Sequence, residues 1–330
     1  MSKSMKAIVI TEFGSPNVLR VRTVDRPEAD PGSVVIRVRA FGLNRAEVHF
    51  RKGDWGDVAK VTGIECVGEV HDPGASRFAR GQRVISLMGG MGRTIDGTYA
   101  EFVRVPETNV WPVNSGLSWT SLAAIPESYA TAWTFLHHNL SVAQGQTLLI
   151  RGGTSALGQA SVNLARQLGL RVLATTRTPE RTEILAALGA LPLIECADLS
   201  CQLRAREPAG IDCVLDIIGT ATLRDSLKMV RYGGRVAMAG FLGGGLPLTL
   251  DPLRELPSGV QFSFFASAFT FGGPDLPLSS IPFADFIACA EAGAYPCVPA
   301  HVFDFEQIVE AHRLLESGEA RGKIVVRAPN

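Results

Sequence analysis

Several features are absent from the sequence, and their absence rules out particular classes of function. It has no excess of either charge, with 32 basic and 32 acidic residues. It also has no basic block and no alternation of basic with aromatic residues, so we do not expect nucleic acid as its main partner. No apolar run is long enough to cross a bilayer, and the first residues, MSKSMKAIVITEFG, contain no apolar signal core and no cleavage site. These absences predict no membrane partner and a cytoplasmic protein.

Cysteine is present but in no pattern that carries chemistry. No C-x-x-C pair and no disulfide-like framework occurs, which agrees with a reducing cytoplasm. The cysteines are Cys66, Cys196, Cys201, Cys213, Cys289 and Cys297. The sequence does contain ample material for buried sheets, since 46% of its residues are hydrophobic and 19% are charged. At 330 residues, the chain is longer than one core usually spans, so we expect two domains.

Residues 147–181 read as a strand, a glycine turn, a helix and a second strand. Residues 147–150 are apolar and partly β-branched, as in a strand buried on both faces. After the turn at 151–155, apolar or small residues recur at helical spacing until Gly169, and residues 172–176 read as the next strand. This order is that of the βαβ unit of a dinucleotide-binding fold.

The glycine turn is suited to a pyrophosphate. We expect Gly153 to adopt a positive φ and to leave room for the ligand, and Gly158 to let the helix lie close to the strand. Ser155 takes the middle place of the G-x-G-x-x-G pattern, where its hydroxyl either donates to a phosphate or caps the helix. An isolated pattern of this kind is more often an ordinary turn, but the flanking strands favour a nucleotide site. The amides that suit the anion belong to Thr154, Ser155, Ala156 and Leu157.

The end of the second strand indicates which dinucleotide binds. An NAD site usually has a carboxylate there, about 20 residues after the turn, to hold the ribose hydroxyls. This strand instead ends at Thr176 and is followed by Arg177 and Arg181. Two guanidinium groups can pair with a 2′-phosphate, although two solvated arginines at a helix start are the alternative. We therefore predict NADP(H) as the cofactor.

Residues 126–266 continue the alternation of strands with helices, which predicts a doubly wound parallel sheet. Ligands bind beyond the carboxyl ends of such strands, so we expect Gly219, Gly240 and Phe241 along the cofactor, with plain turn chemistry as the alternative for the two glycines. The first third of the chain reads as short strands with many turns, typical of a compact β domain. The last segment contains helices near 281–291 and 305–316 and a strand at 323–326.

Motifs along nearly the whole length of the chain resemble the medium-chain dehydrogenase/reductase superfamily, and most closely its zinc-free quinone oxidoreductase (zeta-crystallin-like) branch. They are G-L-N-R-A-E at 42–47, R-K-G at 51–53, G-I-E-x-x-G at 63–68, G-x-R-V at 81–84, G-T-Y-A-E-F at 97–102, G-G-T-S-A-L-G at 152–158, D-x-V-L-D at 212–216 and G-K-I-V-V at 322–326. The resemblance implies a Rossmann NADP-binding domain at 126–266. It also implies a discontinuous, mainly-β GroES-like barrel domain at 1–125 and 267–330.

The same resemblance indicates whether the chain can bind a catalytic zinc ion. Zinc-dependent relatives place a cysteine ligand where Asn44 stands and a histidine ligand where Ile64 stands. Ile64 is apolar and cannot coordinate a metal, so two of the ligands of those relatives are missing, whereas a catalytic zinc needs three protein ligands. We therefore expect no metal in this chain.

Without a metal, hydride transfer requires an acceptor that takes hydride readily, such as a quinone or a conjugated enone. By resemblance, Asn44 faces the nicotinamide, where its amide can donate to a substrate oxygen and accept from a ribose hydroxyl; the alternative is a turn asparagine. Glu47 replaces the aspartate of many relatives. His49 is either a proton donor or a wall residue. We expect Glu65 to hold structure through backbone bonds, and Lys323 to be a surface charge rather than a phosphate ligand.

These observations predict an NADPH-dependent quinone or enone oxidoreductase. Two alternatives remain: an enoyl-thioester reductase with a larger acceptor channel, and a non-catalytic NADPH-binding protein of crystallin-like or sensory type. The apolar stretch VQFSFFASA at 260–268 ends the nucleotide-binding sheet, and an uncovered sheet edge invites pairing across a two-fold axis. We therefore also predict a homodimer through this edge.

Overall fold

The structure is a computed structural model that describes residues 3–244, 247–294, 296 and 298–329. Strands and helices alternate along most of it. In chain order the strands are β1 Ser4–Ile10, β2 Leu19–Asp25, β3 Ser33–Gly42, β4 Glu65–Asp72, β5 Arg83–Leu87, β6 Phe102–Pro106, β7 Val110–Pro112, β8 Thr147–Arg151, β9 Arg171–Thr176, β10 Leu191–Ile194, β11 Ile211–Asp216, β12 Val230–Met238, β13 Gln261–Phe264, β14 His301–Asp304 and β15 Ile324–Arg327.

The α-helices are mostly short, and several are extended by a single turn of another helix type. A π-helical turn at Phe135–Asn139 follows the third helix, and 3-10 turns at Pro179–Arg181 and Phe305–Gln307 precede the fifth and tenth. In chain order the helices are α1 Arg45–Lys52, α2 Trp119–Leu122, α3 Pro126–Thr134, α4 Ala156–Gln167, α5 Thr182–Ala187, α6 Leu199–Arg206, α7 Leu223–Leu227, α8 Pro252–Glu255, α9 Phe283–Glu291 and α10 Ile308–Ser317.

The chain divides into two compact units. The first contains residues 1–130 and 267–330, and the second contains residues 131–266. The boundary proposed from the sequence at 125/126 precedes this division, which falls within α3. Each unit has a hydrophobic core of its own.

The second unit is built on a six-stranded sheet whose neighbouring strands are all parallel. The order across the sheet is β10-β9-β8-β11-β12-β13. Numbered along the chain, this is 3-2-1-4-5-6, the doubly wound Rossmann order, which reverses between β8 and β11. The central strands are buried apolar runs, as expected where helices cover both faces of a parallel sheet.

The first unit joins the two ends of the chain in one β-domain. Its main sheet has seven strands in the order β14-β15-β3-β4-β5-β7, with β6 also paired to β3, while β1 and β2 form a separate antiparallel pair. The C-terminal strand β15 lies antiparallel to β3, with Val325 opposite Gly42. This pairing brings the end of the chain beside the start of α1. The predicted fold class, a Rossmann sheet plus a discontinuous GroES-like domain, is confirmed.

Three strands are missing from the sequence prediction: β2, β7 and β14. Strand β7 has only three residues, and β2 and β14 leave much of their surface exposed, so none of them shows a long apolar run. Among the described residues, no helix combines the length and apolar character that crossing a bilayer requires. Cys297 lies outside the described residues. The described cysteines Cys66, Cys196, Cys201, Cys213 and Cys289 are free thiols.

Candidate active site and cofactor site

In the first unit, the candidate catalytic residues begin at the N-terminus of α1. Asn44 is the N-cap of this helix, with an extended backbone that brings the chain in from β3. Its backbone N–H donates to Oε2 of Glu47 over 2.7 Å. This is one bond of a capping box, in which the third helical residue binds back to the cap. The local sequence therefore fixes Asn44 and Glu47 relative to each other.

The side-chain amide of Asn44 contacts a buried ion pair. Oδ1 accepts from Nζ of Lys323 over 2.7 Å, and Nδ2 donates to Oε1 of Glu65 over 2.8 Å. Lys323 and Glu65 are themselves joined by a 2.5 Å contact and are 6% and 0% exposed. The prediction that Lys323 is a surface charge is therefore wrong, because the residue lies inside the domain, immediately before β15. Glu65 also accepts from the backbone N–H of Glu127 over 2.8 Å, so its expected backbone role is confirmed.

Glu47 is fully buried. Its Oε1 accepts from the backbone N–H of Ile64 over 3.3 Å. Burial raises the pKa of Glu47 to about 8; Lys323 opposes the rise and the carboxylate of Glu65 adds to it. The protonated form is therefore the major one at neutral pH.

His49 lies one turn further along α1 and is half-buried. Its Nδ1 lies 2.8 Å from Oδ2 of Asp54, and its ring stacks on Trp55 with centroids 4.7 Å apart and planes inclined by 15°. These two contacts fix the orientation of the imidazole. They show a structural use for His49 and leave its proton-donor role a prediction.

A second buried polar pair in this unit was not predicted from the sequence. The hydroxyl of Tyr99 lies 3.0 Å from Nε2 of His312, and Tyr99 stacks on Phe41 with centroids 4.6 Å apart. Burial, reinforced by the positive charge of Arg51, lowers the pKa of His312 to about 3. His312 is therefore neutral in the folded protein at physiological pH. Only its place within the α10 helix pattern could have indicated that it is buried.

In the second unit, the glycine turn follows β8 as predicted, but its two glycines have different roles from those expected. The positive φ, +84°, belongs to Gly152 and not to Gly153. A Cβ at Gly153 would lie 2.8 Å from Cβ of Ala174 and 3.0 Å from Cδ2 of Leu185. Gly153 is therefore needed for packing against β9 and α5, and the expectation of a positive φ there is wrong.

The start of α4 is capped by the side chain of Ser155. Its hydroxyl accepts from the N–H of Gly158 over 3.0 Å and donates to the carbonyl of Gly152 over 2.8 Å. A Cβ at Gly158 would lie 2.5 Å from that same carbonyl oxygen, so the helix approaches the turn as closely as predicted. The amides of Ala156 and Leu157 are in the first turn, where a helix has no internal acceptor for them. Those of Thr154 and Ser155 immediately precede it, and the Ser155 N–H bonds to Gly152 O over 3.1 Å.

The end of β9 contains a buried polar atom that needs a partner. Among the described residues, Oγ1 of Thr176 has no hydrogen-bond partner. Arg177 follows it and is exposed, whereas Arg181 is only 5% exposed within the 3-10 turn that precedes α5. Of the two predicted phosphate ligands, Arg177 is thus the one whose side chain solvent reaches.

The loops after β11 and β12 touch each other at their glycines. Gly219 has a φ of +101°, and a Cβ there would overlap the carbonyl oxygen of Gly240. Asp216 holds the first loop, because its Oδ1 accepts from the N–H of Gly219 over 2.9 Å. A Cβ at Gly240 would meet open space, whereas Phe241 packs partly on the core. The structure thus brings Gly219 and Gly240 together at the carboxyl edge of the sheet.

Arg151 is a residue of this edge that the sequence prediction left within the glycine turn. It ends β8 and is fully buried. Its guanidinium pairs with Glu195 and, over 2.9 Å, with Asp225, and it donates to Oγ of Ser226 over 3.1 Å. The only signal in the sequence is a cation at the end of an otherwise apolar strand. Among the described residues, no group of three or more metal-binding side chains is arranged to hold an ion.

Comparison with known proteins assigns the chain to a family. The profile described as "Alcohol dehydrogenase GroES-like domain" matches residues 30–115, and that described as "Zinc-binding dehydrogenase" matches residues 156–268. Human quinone oxidoreductase is 27% identical over 345 residues, an alignment that covers 98% of both chains. The chain belongs to the medium-chain dehydrogenase/reductase superfamily, in its quinone oxidoreductase branch. It is therefore an oxidoreductase of the NAD(P)H-dependent kind.

Two solved structures share the fold along nearly the whole chain. A mycobacterial protein complexed with NADPH has a TM-score of 0.86 and 26% identity, over 98% of this chain and 99% of that one. A quinone oxidoreductase of Pseudomonas syringae also has a TM-score of 0.86, over 98% and 99% of the two chains. Its 22% identity makes it a likeness of fold alone.

Proposed function

We propose that the chain reduces quinones or activated α,β-unsaturated carbonyls by hydride transfer from NADPH, without a catalytic zinc ion. The observation that carries this proposal is the environment of Asn44. Its amide bonds to a buried Lys323–Glu65 pair at the place where, by resemblance, zinc-dependent relatives have a metal ligand.

The donor set around Asn44 suits an amide and not a zinc ion. An ammonium group lies 2.7 Å from Oδ1 of Asn44, so a divalent cation bound there would meet a like charge at close range. Ile64, at the second ligand position, is apolar and 3% exposed. Catalytic zinc requires three protein ligands and an open place, and this pair of residues supplies none.

The carboxyl edge of the second unit suits a dinucleotide. A bound ribose and pyrophosphate would use the amides that begin α4, the open space at Gly240 and Oγ1 of Thr176, which has no partner within the described part of the chain. Arg177 favours the 2′-phosphate of NADPH because a guanidinium pairs with phosphate. When bound, the reduced nicotinamide supplies the hydride. The NADPH complex of the mycobacterial relative supports this choice of cofactor.

The chemical class of the acceptor is inferred from the groups that could stabilise negative charge on its oxygen during hydride transfer. With no Lewis acid, an unactivated ketone lacks stabilisation at its oxygen, whereas a quinone or enone delocalises the charge itself. Asn44 offers an N–H to that oxygen, a contribution of the oxyanion-hole type. Glu47, with its raised pKa, can hold a proton at neutral pH. His49 remains the alternative proton donor.

The proposal is tested by steady-state turnover of chelator-washed protein with a panel of ortho- and para-quinones, alkenals and crotonyl-thioester. We expect NADPH oxidation with quinones or alkenals, and a lower KM for NADPH than for NADH. Stoichiometric zinc that activity requires would refute the zinc-free mechanism. Turnover of crotonyl-thioester alone would identify an enoyl-thioester reductase, and tight NADPH binding without any turnover would identify a non-catalytic protein.

A further inference from the structure

The C-terminal strand delivers a charged side chain to the N-terminus of α1. The backbone N–H of Leu43 donates to the carbonyl of Ile324 over 2.9 Å, so the start of β15 passes beside the end of β3. Lys323 immediately precedes β15 and is turned into the domain. No sequence motif near Asn44 could have indicated this contact, because 279 positions separate the two residues.

Gly42 makes room for this side chain. A Cβ at Gly42 would overlap Cε of Lys323 and lie 2.5 Å from Oε1 of Glu65. The φ of Gly42 is not positive, so the backbone itself does not require glycine there. The absence of a side chain at this position is therefore needed for the ion pair and not for the turn.

The partners of Asn44 determine which way its amide points. An ammonium group can only donate, so the atom 2.7 Å from Nζ of Lys323 must be the amide oxygen. The atom 2.8 Å from the Glu65 carboxylate must then be Nδ2. The second hydrogen on Nδ2 has only a weak contact, 3.4 Å to Oε1 of Glu47. That hydrogen is the donor which the amide keeps available.

We propose that Lys323 is a positioning residue: together with Glu65 it fixes the Asn44 carboxamide so that it presents an N–H to the oxygen of the acceptor. The inference rests on the proposed function for the role of Asn44, while the fixed amide is a property of the folded chain alone. Replacing Lys323 by an uncharged side chain removes the donor that holds the amide oxygen and leaves the buried Glu65 carboxylate without its cation. The carboxamide then keeps one partner in place of two, so its free N–H is no longer held in one direction towards the acceptor.

The fixed amide is tested by NMR on protein labelled with ¹⁵N at asparagine. The side-chain signals of Asn44 are identified by their loss in Asn44→Ala. We expect two well-separated N–H signals in the natural protein and a clear shift of both in Lys323→Met, with no shift in Lys60→Met, a matched exposed lysine. Unchanged signals in Lys323→Met would overturn the proposal, whether or not the protein turns over any acceptor. The failure of this inference is thus separable from failure of the proposed function.

The positioning role is tested by a double-mutant cycle on quinone reduction. We expect Lys323→Met to lower kcat by about 10- to 100-fold, with KM for NADPH nearly unchanged; complete loss of an oxyanion donor costs about 100- to 1,000-fold, and here the donor is misplaced and not removed. In an Asn44→Ala background the same change should alter kcat by less than about two-fold, because it acts through Asn44. Equal losses in both backgrounds would show a merely structural role and refute the proposal.

Gly42→Ala provides an independent variant that keeps all three polar residues. Its Cβ must displace the ion pair, so we expect the same shift of the Asn44 signals and the same selective loss in kcat. If Lys323→Met does not fold, the outcome with Gly42→Ala decides the question. Unchanged Asn44 signals in a folded Gly42→Ala protein would contradict the proposal.

Discussion

Two buried ionisable residues in the first unit make stability depend on pH in opposite directions. The folded pKa of Glu47, about 8, lies above the ordinary value of 4.5, so the folded protein binds this proton more tightly than the unfolded chain. Its contribution is full below pH 4.5 and is lost as the pH rises through about 8. The folded pKa of His312, about 3, lies below 6.5, so its contribution is full above pH 6.5 and is lost as the pH falls towards 3.

Above pH 6.5 the contribution of His312 to stability no longer changes with pH, so the contribution of Glu47 can be measured by itself. We expect the free energy of unfolding to fall by about 1 kcal/mol per pH unit between roughly pH 6.5 and 8, the slope of about one proton. Glu47→Gln should remove this slope, and Glu12→Gln, at an exposed carboxylate, should keep it. Urea unfolding across the range provides the measurement. An undiminished slope in Glu47→Gln would assign the titration to another group.

Arg177 is the residue on which the choice of NADPH over NADH can be tested. We expect Arg177→Ala to raise the Kd of NADPH about ten-fold and to leave that of NADH nearly unchanged, since only NADPH carries the phosphate that the guanidinium pairs with. Arg171→Ala is the matched control, because this exposed arginine begins the same strand, β9, at its opposite end. Cofactor titration by fluorescence measures both constants, and equal losses for the two cofactors would remove the 2′-phosphate role.

At the scale of elements, the structure of the turn between β8 and α4 depends on two small residues, Ser155 and Gly158. Ser155→Ala removes the cap of α4 and should lower the free energy of unfolding by about 1 kcal/mol.

Gly158→Ala places a Cβ 2.5 Å from a backbone carbonyl oxygen, so the helix must move and cofactor affinity should fall more than stability alone predicts. Ala160→Gly, two positions on, is the control for altered helix propensity. If Gly158→Ala and Ala160→Gly bind the cofactor with equal affinity, the close approach of α4 to the turn is not needed for cofactor binding.

The same elements show what the sequence could predict and what it could not. The βαβ unit around Ser155 and Gly158 is encoded locally, because the strand, the cap and the apolar period occur within one short stretch. The pairing of Lys323 with Glu65 is not local: it depends on β15 pairing with β3, and a lysine in G-K-I-V-V resembles a surface residue until that register is known. Gly153 was misassigned because a glycine pattern does not distinguish a positive φ from tight packing.

On the scale of the whole molecule, the second unit has one sheet edge that is notably apolar. Strand β13 is the last in the order and pairs with β12 on one side. It exposes Phe262 and Phe264 by 40% and 47%. Exposed apolar strand edges favour pairing with another chain, and a second copy related by a two-fold axis satisfies both edges at once. The proposed homodimer through β13 is consistent with this geometry.

Phe262 is the residue whose replacement tests that dimer. A charge on the apolar edge would be buried in the interface, so we expect Phe262→Glu to give a monomer where the natural protein gives a dimer. Leu191→Glu is the matched control, since Leu191 is 52% exposed on β10, the strand at the opposite edge of the same sheet. Light scattering after size exclusion gives the masses. A monomeric natural protein, or a dimer that survives Phe262→Glu but not Leu191→Glu, would place β13 outside any interface between copies of this chain.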